Sequence, residues 1–102
     1  MSEQVRAVLD SLGIPATYHH WDRPPKMPYA VYLDDYTENF EADNIAYSVS
    51  THMIIELYTR QRDRKLEKRL EQLLDQEELY WDRTVTYIDS ERFYQISYEI
   101  EV

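Results

Sequence analysis

The chain has no cysteine, which removes disulfides, thiolate nucleophiles and cysteine-ligated zinc from consideration. It has a single glycine, Gly13. Phosphate-cradling loops need glycine where the backbone closes on the ligand, so Walker-type and dinucleotide-binding turns are excluded. No Gly-x-Ser-x-Gly elbow presents a serine nucleophile. No stretch approaches the roughly 20 apolar residues that cross a bilayer. The first residues, Met1-Ser2-Glu3-Gln4, hold neither a basic cluster nor an apolar run, and so predict no secretory leader. Lys and Arg are absent from residue 27 to residue 59.

What is present describes one small globular domain, residues 1–102. Hydrophobic residues make up 43% and aromatics 14%, far too many for a disordered chain. Ten of the aromatics are tyrosines, which suit strands and wet interfaces because an apolar ring carries a polar tip. The net charge of −9 argues against a nucleic-acid binder, which would show a basic balance or stripe. The charge is uneven. The basic-free stretch carries Asp34, Asp35, Glu38, Glu41, Asp43 and Glu56, whereas residues 60–69 hold six of the eleven basic residues. Such polarity can guide docking between subunits.

Periodicity divides the chain. Val5, Val8, Leu9 and Leu12 recur at i, i+3, i+4, i+7, predicting a helix over 2–12 that Gly13 and Pro15 stop. Residues 16–19 could extend as a short strand, and Arg23-Pro24-Pro25-Lys26-Met27-Pro28 reads as an extended connector. Alternation predicts strands over 29–36 and 47–59, with an acidic loop at 37–44 between them. Leu66, Leu70, Leu73 and Leu74 mark a helix over 63–77. Two more strands follow, about 81–88 and 92–102, joined by a turn at Asp89-Ser90-Glu91. In the last, Tyr94, Ile96, Tyr98, Ile100 and Val102 face the core. The expected fold is α+β: a mostly antiparallel sheet of four to five strands with two helices packed on one face.

Searching for chemistry gives little. His19 and His20 would point to opposite faces of an extended segment and would not share a metal. His52 shares a strand face with Glu56, one ligand short of a catalytic zinc site. The acids Asp34 to Asp43 lack the glycine and the spacing of a calcium loop. In the second helix Asp63, Glu67 and Glu71 form one row, and Arg62, Lys65 and Arg69 another. Aligned like charges cost a few tenths of a kcal/mol per pair, which suggests a contact surface as well as a solvated face. No catalytic residue, cofactor or metal is expected. The interface residues expected are Asp35, Glu38, Glu41 and Asp43 from the acidic stretch and Arg62, Lys65 and Arg69 from the helix.

Four segments in order resemble a known family: Pro28-Tyr29-Ala30-Val31-Tyr32, Phe40-Glu41-Ala42-Asp43-Asn44, Ile55-Glu56-Leu57-Tyr58-Thr59, and Ser90-Glu91-Arg92-Phe93-Tyr94-Gln95-Ile96-Ser97-Tyr98-Glu99. Together they span nearly the whole chain and resemble the tail-terminator (tail-completion) proteins of long-tailed phages and prophages of Gram-positive bacteria. The resemblance implies an α+β virion protein that caps the tail tube as a hexameric ring and offers a head-tail joining surface. It implies as partners further copies of itself, the tail-tube protein and a head-completion connector, with assembly in the host bacterial cytoplasm. Neither a membrane nor a sequence-specific nucleic acid is among the expected partners. A different class remains open on charge alone, an acidic regulatory or inhibitory binder of prophage origin that mimics nucleic acid. A carboxylate or histidine enzyme would need His52, Glu56 and a loop acid to converge.

Overall fold

The computed structural model describes residues 2–35 and 52–101. Helix α1 spans Ser2–Leu12 and is followed by β1, Ala16–Tyr18, and β2, Tyr29–Asp35. Then come β3, His52–Thr59, helix α2, Arg64–Gln76, and the hairpin of β4, Tyr80–Ile88, with β5, Phe93–Glu101. The strands form one open sheet in the order β1-β2-β3-β5-β4. Only β1 and β2 run parallel; the other neighbours are antiparallel. This is the α+β arrangement that the periodicity predicts. The expected loop at 37–44 and the first residues of the expected strand at 47–59 lie outside the described residues.

Each helix forms for a local reason. Val5, Val8, Leu9 and Leu12 give α1 one apolar stripe, and all four are buried. It ends at Gly13, whose φ is +86° and whose N–H donates to the Leu9 carbonyl at 3.2 Å. A Cβ at Gly13 would meet nothing within 4 Å, so space does not require glycine there. The left-handed backbone does. Gly13→Ala is therefore expected to cost about 1 kcal/mol in urea denaturation. A loss indistinguishable from zero would show that the segment relaxes out of that conformation. Helix α2 is capped by Asp63, whose Oδ1 accepts from the Leu66 N–H at 3.1 Å.

The core lies between the helices and one sheet face. Met53, Ile55 and Leu57 of β3 alternate with half-buried residues, as do Ile96 and Tyr98 of β5. Cross-strand register brings Ala30 opposite Leu57 and Tyr32 opposite Ile55, so β2 turns these two toward the same core. Leu70 and Leu74 close it from α2. The other sheet face carries Tyr29, Val31, Tyr58 and Phe93, aligned by the same registers. Trp21 covers part of that face, with its ring 6.0 Å from Tyr29 and its indole N–H donating to the Ala30 carbonyl at 3.3 Å. An aromatic row continues from Tyr29 to Tyr58 at 5.2 Å and on to Phe93 at 5.6 Å.

Candidate interaction surface

The three basic residues expected at an interface sit differently in the fold. Arg62 donates from Nε and Nη2 to the Glu67 carboxylate at 2.9 and 3.0 Å, a forked contact. Arg69 donates from Nη2 to the Ser11 carbonyl at 2.7 Å and so pins α2 to the end of α1. Lys65 is exposed, with no polar partner among the described residues. Two of the three thus help hold the subunit together, and Lys65 alone is presented outward without a described partner.

Glu67 is the unexpected residue. The charge rows suggest a surface acid, yet its side chain is fully buried. It receives Arg64 Nη1 at 2.7 Å in addition to Arg62, and Arg83 of β4 lies 3.6 Å away. Arg83 donates mainly to Glu71 Oε2 at 2.6 Å, and the same oxygen accepts from the Tyr98 hydroxyl at 2.8 Å. Three arginines, two glutamates and a tyrosine thus join α2 to β4 and β5. Burial pushes the Glu67 carboxyl up, but Arg62 and then Arg64 outweigh it and leave it below the usual glutamate range. The hydrogen bond to Glu67 raises Arg62. Burial works against the charge of Arg83, and the adjacent Glu71 more than compensates. Tyr98 is pushed well above the ordinary tyrosine value, first by burial and then by Glu71. Both carboxylates of this cluster are met by arginines within the same subunit, the form a structural network takes.

Of the expected acidic contact residues, Asp35 ends β2, with its backbone opposite His52. Glu38, Glu41 and Asp43 lie outside the described residues. The histidines are arranged differently from the extended-strand expectation. β1 stops at Tyr18, and His19 has φ 74°, which brings its Nδ1 to 3.2 Å from that of His20. His20 also reaches Asp22 at 3.3 Å. His52 meets Glu101 at 3.3 Å, while Glu56 accepts from the Tyr58 hydroxyl at 2.9 Å. His52 and Glu56 therefore have separate described partners. No group of three or more metal-ligating side chains occurs among the described residues, and no described helix is long and apolar enough to cross a membrane.

Two surfaces among the described residues are suited to contact. One is a groove of about 510 Å³ at the end of the aromatic row, lined by Pro24, Pro25, Met27, Tyr29 and Phe93 together with the charged Lys26, Arg60 and Glu91. The proline-rich connector predicted from sequence forms one wall of it. The other is the pair of sheet edges. Among the described residues the exposed large hydrophobic side chains are Tyr80 (72%), Tyr87 (46%), Tyr18 (43%) and Val85 (36%). Three are on β4 and one is on β1, the two outermost strands. Periodicity could not assign these strands to the edges, because pairing order is set by long-range contacts. Compared with models of known protein families and with characterised proteins, the chain matches none.

Proposed function

We propose that this chain is a non-catalytic structural subunit of a phage virion, a tail terminator that caps the tail tube and provides the surface for joining the head. The family reading comes from the sequence resemblance. The observation that carries the binding half is the placement of the exposed large hydrophobic side chains on the two outermost strands of an open sheet. Exposed apolar side chains at unpaired edges are features of assembling subunits. The groove sets two cations, Lys26 and Arg60, beside one carboxylate, Glu91, on a chain whose net charge is −9, and so offers charged groups of both signs to a neighbouring surface. Deleting the gene from its phage should give overlong or headless tails in electron micrographs; normal virions would overturn the reading.

Lys65 offers a clean test of the helix contact. Lys65→Glu is expected to leave folding stability within about 0.5 kcal/mol of the parent, as an exposed surface substitution does. Incorporation of the variant into tails should fall. Tails of normal length and composition would remove Lys65 from the interface. Reversing Arg62 or Arg69 cannot serve this purpose, because each holds an internal contact whose loss would itself affect folding.

A further inference from the structure

The two edges of the sheet are not equivalent. At β1 two outward carbonyls are already taken. The Ala16 carbonyl accepts from Arg6 Nη1 at 3.2 Å, and the Tyr18 carbonyl accepts from the His20 N–H at 2.9 Å. That strand is also only three residues long. These are the devices by which an edge is closed to further pairing. Among the described residues β4 has none of them. It runs nine residues, contains neither Lys nor Pro, and keeps an unbroken register against β5 from Tyr80 opposite Glu101 to Ile88 opposite Phe93, with no bulge. Its alternate N–H and C=O groups therefore point away from the sheet along a straight, regular edge.

The side chains on that edge fit a copy of themselves. The charged residues of β4 are Asp82 and Arg83, and Arg83 is held by Glu71. From Thr84 to Ile88 the strand is uncharged. We infer that β4 pairs antiparallel with β4 of a second copy of this chain across a two-fold axis near Thr84 and Val85. A two-fold perpendicular to the sheet keeps side chains of matching faces together, so residues pair about one central position. Centred on Thr84, the pairing sets Trp81 beside Tyr87 of the second copy and Asp82 beside its Thr86. Centred on Val85, it stacks the two valines and sets Arg83 beside Tyr87 of the second copy, a cation–π geometry. In neither register do like charges face each other. The result is a ten-stranded continuous sheet that buries Val85 and Tyr87, both exposed in the single chain.

The closed edge at β1 decides the stoichiometry. A head-to-tail chain of sheets would need β4 of one copy to pair with β1 of the next, where the carbonyls are taken. A two-fold β4 contact uses up the open edge in both copies and stops at two. This inference does not rest on the tail reading. It leaves β1, α1 and the groove free for other contacts, and a ring closed through those surfaces would stack back to back through β4.

The full-length chain should be measured by sedimentation velocity over a concentration series reaching ~1 mM. The expected result is a reversible dimer of twice the 12.4 kDa chain mass. Because both copies carry −9, added salt should tighten the dimer, whereas it would loosen the pairing of this acidic surface with a basic partner. Val85→Lys and Thr86→Lys put charge at the contact and should each weaken dimerisation at least about tenfold. Both positions are exposed, so thermal unfolding should be nearly unchanged. The cysteine-free background permits a register test. Oxidised Thr84→Cys or Val85→Cys chains should crosslink to dimers, and Ser11→Cys chains, on an exposed turn of α1, should not. A chain that stays monomeric throughout overturns the inference. So does a dimer that survives both lysine substitutions, or one that crosslinks equally from Ser11→Cys.

Discussion

Replacing Glu67 by alanine is expected to cost about 3 kcal/mol of folding stability, a large part of the roughly 5–15 kcal/mol a domain of this size holds. The side chain is fully buried, and its carboxylate is the shared acceptor for Arg62 and Arg64. Removing it leaves a cavity and strands positive charge at a site that was compensated. The loss falls at the lower end for a broken buried pair, because Arg62 and Arg64 are 35% and 56% exposed and can turn to water. Glu67→Gln keeps the shape and loses the charge, so it should fall between alanine and the parent. Arg62→Ala should cost less, since Glu67 keeps Arg64 and the nearby Arg83. Urea denaturation at neutral pH checks the order. A Glu67→Ala loss below about 1 kcal/mol would show that the network does not hold α2 to the sheet.

The same residue shapes the acid limb. Its folded pKa lies below its ordinary value of 4.5, so the stability it supplies is fully present above that value. That stability is lost as pH falls through the lower folded pKa. The parent should accordingly lose stability more steeply below about pH 4.5 than Glu67→Ala does. Parallel acid limbs would place the proton uptake on other carboxylates.

Glu67 also shows where sequence reading stops. The leucine stripe of α2 was legible, and so was the alternation of β5, because each pattern is local. Glu67 stands three residues before Leu70 and seven before Leu74, the spacing of a shared helix face. That spacing is the signal that could have placed it inward. It read as a surface acid because carboxylates are seldom fully buried, and its compensation includes Arg83, on a strand beyond the helix. Arg62 and Arg69 read as a contact row for a similar reason. Helix spacing joins Arg69 to Lys65 but does not show the Ser11 carbonyl beside it, and Arg62 lies before the Asp63 cap, off the helix, where it turns back onto Glu67. The parallel pairing of β1 was illegible in three residues. It is fixed by bonds made at a distance in sequence, such as the His19 N–H donating to the Tyr32 carbonyl at 2.8 Å. The groove was legible only as its proline-rich wall, since Arg60 and Phe93 come from β3's end and β5's start.

Tyr98 carries the other large expectation. Its side chain is fully buried, its ring centroid lies 5.7 Å from that of Trp81, and its hydroxyl donates to Glu71. Tyr98→Ala removes an aromatic ring from the centre of β5 and is expected to cost about 4 kcal/mol. Tyr98→Phe keeps the ring and removes only the donor. Glu71 retains Arg83, so that loss should be about 1 kcal/mol. The pair of variants separates packing from hydrogen bonding. An alkaline titration then tests the environment. Burial and Glu71 hold the Tyr98 hydroxyl well above 10, and Tyr58 is pushed up to about 12, first by burial, with Glu56 adding to it against the opposing Gln95 contact. A group whose folded pKa is raised lends stability that is fully present below its unfolded pKa, near 10 for tyrosine. The unfolded chain sheds those protons first, so stability should decline as pH rises past about 10 and on through the folded values. Tyr98→Phe should flatten that decline, and Tyr58→Phe should flatten its lower part. A decline unchanged in Tyr98→Phe would mean that the hydroxyl reaches water in the folded state, and that the Glu71 contact gives way before the fold does.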